Sequence, residues 1–264
     1  MNRRSRTVLL CAWSTAFLAC AVWTIRISRN TSARAEQNPT QARPAGKPTS
    51  LSLQPEAFKL SRQLGNRFIP SRQSSSTIVG TLTTAGVTQN VNITRRQTPT
   101  GEDVAIRLAG QPGTLAWNDI EGAKADAASV GEAQQTLIER VALDNPDQFV
   151  LAQLRGASYY TVARNVRADT GGSENYSGPL WDVIRIDESP GPQRLSSNSR
   201  LYYINTQTRL IDKIVSELRG ETIEADILQW SDQSGDKFPS HIVWKRGDET
   251  VQEFRMTNVS VQSQ

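Results

Sequence analysis

A chain of 264 residues with a formal charge of +4 and a pI near 9.3 has room for one large domain or two small ones. The basic balance is local. Arg3, Arg4, Arg6, Arg26, Arg29 and Arg34 all precede the first acid, and without them the rest of the chain stands at −2. The folded part therefore lacks the basic footprint that a nucleic-acid partner requires.

Both cysteines, Cys11 and Cys20, lie in the first 20 residues, so the remainder can form neither a disulfide nor a thiolate metal site. The single histidine, His241, argues against histidine-rich zinc sites and most nucleophile–histidine pairs. No cofactor and no metal is expected.

The chain opens with Arg3, Arg4 and Arg6 and then 19 uncharged residues, Thr7 to Ile25. A helix needs about 20 mostly apolar residues to cross a bilayer. Residues 1–27 read as an apolar membrane anchor or a signal segment. Ala19-Cys20-Ala21 offers a cleavage site, Ala33-Arg34-Ala35 a second, and Cys20 a conceivable lipid attachment. Membrane contact through residues 7–25 is the first expected partnership. An inner-membrane anchor with the rest in the periplasm, or export to the periplasm after cleavage, are the two locations this allows. Residues 28–54 carry three prolines and no apolar period, and they read as a flexible linker.

Residues 55–264 read as one β-rich domain. Pro55 to Phe68 suggests a short helix with Phe58, Leu60 and Leu64 on its apolar side. From Ser76 the period becomes two. Val87, Val91 and Ile93 alternate with polar neighbours, as do Val104, Ile106 and Leu108, and a short strand holds Trp117. Ser129 and Glu132 form a capping-box pattern ahead of a helix running to about Leu143, with Val130, Ala133, Leu137 and Val141 at helical spacing and Ile138 and Ala142 widening the stripe. Asp144-Asn145-Pro146 stops it and starts another, which carries Phe149, Val150 and Leu154 and ends at Gly156. Each helix shows one apolar stripe and is expected to pack on the sheet.

Strands resume over Ala157 to Asp169 and Gly178 to Glu188, and the last third is a meander of five apolar runs broken by short turns. The reading is α+β: a strongly curved antiparallel half-barrel of about eleven strands with two to three covering helices. Asp182, Asp187, Glu188, Glu224 and Asp226 sit on strands, where carboxylates usually face solvent. A hydrolytic carboxylate pair is accordingly the least favoured function. His241 reads as an edge residue with a hydrogen bond.

The meander also carries a resemblance. Tyr202-Tyr203-Ile204-Asn205, the turn with Asn205, Thr208 and Leu210, and the strand Ile211 to Leu218 come in that order. Trp230, Gly235 and Phe238-Pro239-Ser240-His241-Ile242 follow, and Phe254 and Val259 close the chain. Together they resemble the later strands of the LolA-like periplasmic lipoprotein carriers. Val79-Gly80-Thr81-Leu82 and Ala105 to Leu108 fit the opening strands. The resemblance implies a half-barrel with helices over its concave side and acyl chains held between them. This chain is longer, and a tethered protein cannot diffuse across a periplasm.

The leading expectation is a non-enzymatic, envelope-associated domain binding a lipid, an acyl chain or a lipoprotein, with no catalytic residue. The expected lining, chosen by alternation and aromaticity, is Tyr203, Ile214, Ile227, Trp244 and Phe254. The alternative is a structural or protein-interaction domain whose core is simply filled.

Overall fold

The computed structural model describes residues 55–65, 68, 74–98, 101–111, 113–118, 122–125, 132–167, 178–188, 198–218, 220–233 and 235–263. The expected anchor over residues 1–27, the linker and the Ser129 cap lie outside the described residues. No helix among the described residues is long and apolar enough to cross a membrane.

Helix α1 (Pro55–Leu64) leads into five strands, β1 (Ser74–Thr84), β2 (Val87–Thr98), β3 (Gly101–Leu108), β4 (Leu115–Asn118) and β5 (Gly122–Ala125). Helices α2 (Glu132–Leu143) and α3 (Asp147–Leu154) follow. Seven more strands complete the chain: β6 (Ser158–Arg167), β7 (Leu180–Glu188), β8 (Asn198–Asn205), β9 (Ile211–Leu218), β10 (Glu221–Gln233), β11 (Asp236–Arg246) and β12 (Glu249–Ser263).

The strands form a single antiparallel sheet in the order β5-β4-β3-β2-β1-β12-β11-β10-β9-β8-β7-β6. It is an open, curved half-barrel with helices on its concave side. Each strand pairs with its sequence neighbour except at the centre, where β1 pairs with β12, Ser74 opposite Ser263. The two free edges, β5 and β6, are the strands that flank α2 and α3. The helical insert therefore runs from one edge of the trough to the other. Twelve strands stand where about eleven were expected. The extra one is β5, whose Gly-Ala-Lys-Ala run has neither alternation nor a β-branched residue to announce it.

Period-two alternation places Leu82, Val91, Ile93, Val104, Ile106 and Trp117 from the first half of the sheet on the concave face. Tyr202, Ile214, Ile223, Ala225, Ile242, Trp244 and Phe254 do the same from the second half, and all are buried in one core. The convex face carries charge ladders. Lys213 Nζ lies 2.7 Å from Glu224 Oε2, and Lys245 Nζ lies 2.7 Å from Asp226 Oδ2. His241 belongs to this face. It sits inside the sheet rather than at an edge, with Nε2 2.8 Å from Glu253 Oε1. That bond is the main reason the Glu253 carboxyl lies below its ordinary range.

Two glycines mark close approaches. At the β1–β12 seam the register slips between Val79 and Gly80. A Cβ on Gly80 would stand 2.3 Å from the Arg255 carbonyl oxygen and 2.8 Å from the Phe254 ring, so only glycine lets the strands meet there. Gly65 ends α1 at φ +112°, its amide donating to the Ser61 carbonyl at 3.1 Å. A Cβ on Gly65 would lie 2.2 Å from Asp236 Oδ1, which shows how tightly the helix end docks on the β10–β11 turn.

α1 buries Ala57, Leu60, Ser61 and Leu64, spaced for one face of a helix. Phe58, expected on that face, points the other way and is 47% exposed. α3 departs further from its expected single stripe, since Asp147 to Gln153 are all buried. The cause is its position, with the sheet beneath it and α1 against it. Asn145 closes the turn that leads into it: the side-chain Oδ1 accepts the Asp147 amide at 2.9 Å. At its end the Gly156 and Ala157 amides donate to the Gln153 and Ala152 carbonyls at 3.0 and 3.1 Å.

Candidate functional site

Ion pairs, as well as apolar contacts, fasten the helices inside the trough. Arg95 on β2 donates from Nη1 to Glu102 Oε2 on β3 at 2.7 Å and from Nη2 to the Val141 carbonyl of α2. Gln148 of α3 donates to the same Glu102 oxygen at 3.1 Å, and its own Oε1 accepts from Arg155 Nη2 at 2.8 Å. Arg155 also donates to Glu188 Oε1 on β7 at 2.6 Å. Arg200 on β8 lies 3.9 Å from that oxygen and 3.7 Å from Asp144 Oδ1 at the α2–α3 junction. Every member of this chain of charges is buried or nearly so. Glu188 corrects the expectation that the strand carboxylates face solvent: it turns into the trough, where two guanidiniums meet it.

Burial is the largest influence on Asp144 and pushes its carboxyl above the ordinary range, against the pull of Arg200 and Ser216. A carboxyl raised in the folded state binds a proton there more readily than in the unfolded chain. Its contribution to stability therefore falls as pH rises from the unfolded value near about 4 through the folded one. Asp144→Asn is expected to flatten that dependence. In urea unfolding at a series of pH values, the variant should gain on wild type towards neutrality and lose the advantage near pH 4. A constant gap between the two curves would contradict this.

A cleft of about 750 Å³ lies between α1 and strands β6 to β8. Leu60, Ile184 and Ile204, all buried, form its floor, and Phe58 stands at its mouth. Lys59 and Arg62 line it from α1, Arg164 from β6, and Arg209 from the β8–β9 turn. Among the described residues, only Glu56 and Asp182 oppose them.

Local backbone chemistry aims two of these cations. The Asn205 side chain accepts the amides of Gln207 and Thr208 at 2.9 and 3.1 Å, which closes the turn. Arg209 then sits at φ +60°, with Nη1 3.8 Å from Asp182 Oδ2. Across the cleft, bulges interrupt the β6–β7 register. Asn165 adopts φ +51° there and donates its amide to Asp182 Oδ1 at 3.3 Å, while the neighbouring Arg164 faces the cleft. The Asn205-Thr208-Leu210 pattern, read from the sequence as a turn, thus also delivers a side chain to the recess.

Of the five residues expected to line a cavity, Ile214, Ile227, Trp244 and Phe254 stand together on the concave face, buried. Tyr203 does not. Tyr202 pairs with Ile214 and is buried, whereas Tyr203 pairs with Lys213 on the convex face. There it meets Trp181 edge-to-face at 6.2 Å and lies 6.0 Å from Lys213 Nζ. Adjacent tyrosines on a strand must face opposite ways, and aromaticity alone does not say which one turns inward. None of the five lines the cleft. Phe58, Ile184 and Ile204, which do, carried a sequence signal only as ordinary apolar positions.

No family model and no curated protein matches the sequence. Solved structures do match. A domain assigned to outer membrane lipoprotein sorting from Vibrio parahaemolyticus superposes with a TM-score of 0.50 at 8% identity, over 78% of this chain and 91% of that one. The fold is LolA-like. A DUF1329 family protein from Desulfovibrio piger gives a TM-score of 0.48 at 10% identity, over 77% and 89% of the two chains. A LolA superfamily protein from Nitrosomonas europaea gives 0.44 at 6%, over 77% and 91%. The fold shared with the lipoprotein-sorting domain covers 78% of this chain, more than the meander alone.

Proposed function

We propose that this domain binds an amphiphile with a hydrocarbon chain and an anionic head, entering by the cleft beneath α1, and that it works by binding rather than catalysis. The observation that carries the reading is the cleft itself: an apolar floor of Leu60, Ile184 and Ile204 under a rim holding Lys59, Arg62, Arg164 and Arg209. Its volume lies within the range of about 300–1,000 Å³ where small-molecule sites fall. Hydrocarbon leaving water gains about 0.8 kcal/mol per methylene, and the cations supply orientation. The fold shared with a lipoprotein-sorting domain supports the same reading and suggests the periplasmic side of the envelope. The apolar run over residues 7–25 would hold the domain there. Ile214, Ile227, Trp244 and Phe254, on the same concave face, would take part of a longer chain.

Binding of a fluorescent fatty acid tests this. Arg164→Glu combined with Arg209→Glu is expected to weaken it by about tenfold, and added salt to weaken wild type more than the variant. Undiminished binding by the variant, or no binding by wild type, would overturn the reading. A filled structural or protein-interaction domain is the second reading. It is favoured by one observation, the burial of the four inward residues from solvent.

A further inference from the structure

We infer that the free edge of β6 takes up an extended acidic segment of another protein, which adds a strand antiparallel to residues 158–162. The sheet ends on β5 and β6, and the two edges are unlike. β5 is four residues long and has α2 packed against it. β6 is ten residues long, and no strand lies on its outer side among the described residues. Its second half has the usual protection of an edge: the register breaks after Thr161 and again after Ala163, and Arg164 and Arg167 follow. Its first half has none. It reads Ser-Tyr-Tyr-Thr-Val, with no charge, no proline and no glycine, and Ser158 to Thr161 keep an unbroken register against β7. Tyr160 is 47% and Val162 55% exposed. Arg185 on β7 lies 5.0 Å from the centre of the Tyr160 ring and steadies it as a platform.

An uncharged, β-prone edge with two large exposed apolar side chains marks a surface kept for a partner. On an edge strand alternate amides and carbonyls point away from the sheet, so an incoming strand gains main-chain hydrogen bonds as well as apolar contact. Charge selects the occupant. β6 carries two arginines and no acid. A second copy paired there would bring two more arginines to the seam, whereas an acidic segment is drawn to it. Antiparallel pairing, the mode β6 already uses with β7, sets the order along the partner. Its acidic residues come first, level with Arg164 and Arg167, and its apolar residues follow, level with Tyr160 and Val162. Neither Tyr160 nor Val162 lines the cleft beneath α1, so this surface is separate from the amphiphile site.

The test is fluorescence anisotropy with the full chain in detergent and a labelled ten-residue peptide, three aspartates followed by alternating valine and threonine. One comparator peptide has lysines in place of the aspartates, and a second has N-methyl groups on the backbone amides of its valine–threonine half. Wild type is expected to bind each comparator at least about tenfold more weakly, the first through charge and the second through lost main-chain hydrogen bonds. Val162→Asp is expected to weaken binding of the aspartate peptide by about tenfold while leaving the unfolding temperature at the wild-type value, since the position is exposed. No binding of the aspartate peptide by wild type, equal binding of the aspartate and lysine peptides, or indifference to N-methylation would overturn the inference. A wild-type dimer that Val162→Asp converts to a monomer would overturn it too, by naming a second copy as the occupant. Peptide binding by a chain that takes up no fatty acid would support the edge and overturn the cleft reading alone.

Discussion

Replacing Glu188 with leucine is expected to destabilise the fold by about 3–5 kcal/mol, because it strips the carboxylate from two buried guanidiniums at once. Arg155 donates to Glu188 at 2.6 Å, and Arg200 approaches it at 3.9 Å from the other side. Neither cation can reach water without moving α3 or β8, so the charge left behind would stay desolvated. The pair itself need not be net stabilising, since burying both ions already opposes much of their attraction. The informative comparison is therefore the double variant Glu188→Leu with Arg155→Met, which should recover a large part of the loss. Urea unfolding followed by tryptophan fluorescence measures both. A loss under about 1 kcal/mol for Glu188→Leu, the value typical of an exposed pair, would mean that the site is wetter than its burial indicates.

Phe149→Ala is expected to cost about 3–5 kcal/mol, the range for removing a large ring from a packed interior. Phe149 is fully buried on α3, and its ring meets Tyr159 edge-to-face at 5.3 Å and Tyr202 at 5.1 Å. Tyr159 also donates its hydroxyl to the Phe149 carbonyl, so one residue joins α3 to both β6 and β8. Burial pushes both phenols well above the ordinary tyrosine range, so they stay protonated donors at any ordinary pH. The loss should appear in hydrogen exchange as well, with the α3 amides exchanging first and the central strands β1, β11 and β12 last. Uniform loosening of the whole sheet would show instead that α3 is not the weak element.

What the sequence revealed follows from which forces act locally. Alternation in Val104-Ala105-Ile106-Arg107-Leu108 is a direct record of one covered face, and it places β3 without reference to anything distant. Asn205 and Gly156 likewise end their elements through bonds within a few residues. The buried charges left no such record. Arg95 and Glu102 look like any solvated strand residues until α3, some 46 positions further along, brings Gln148 over them. The same is true of the cleft, whose cations come from α1, β6 and a turn and converge only through the curvature of the sheet. Tyr202 and Tyr203 show the smallest version of the problem, a single step of register deciding which ring is inside.

The seam of β1 against β12 has a consequence for how the chain acquires its shape. As the polypeptide leaves the ribosome, the β1–β5 portion can zip together early, but its β1 edge stays open until the β12 segment, ending near Ser263, arrives to cover it. Contacts so distant along the chain make for slow maturation, and an uncovered strand in the interim is an invitation to wrong partners. A nascent chain halted before Glu249 would carry two half-sheets with no strand pairing between them, joined only through the helical insert.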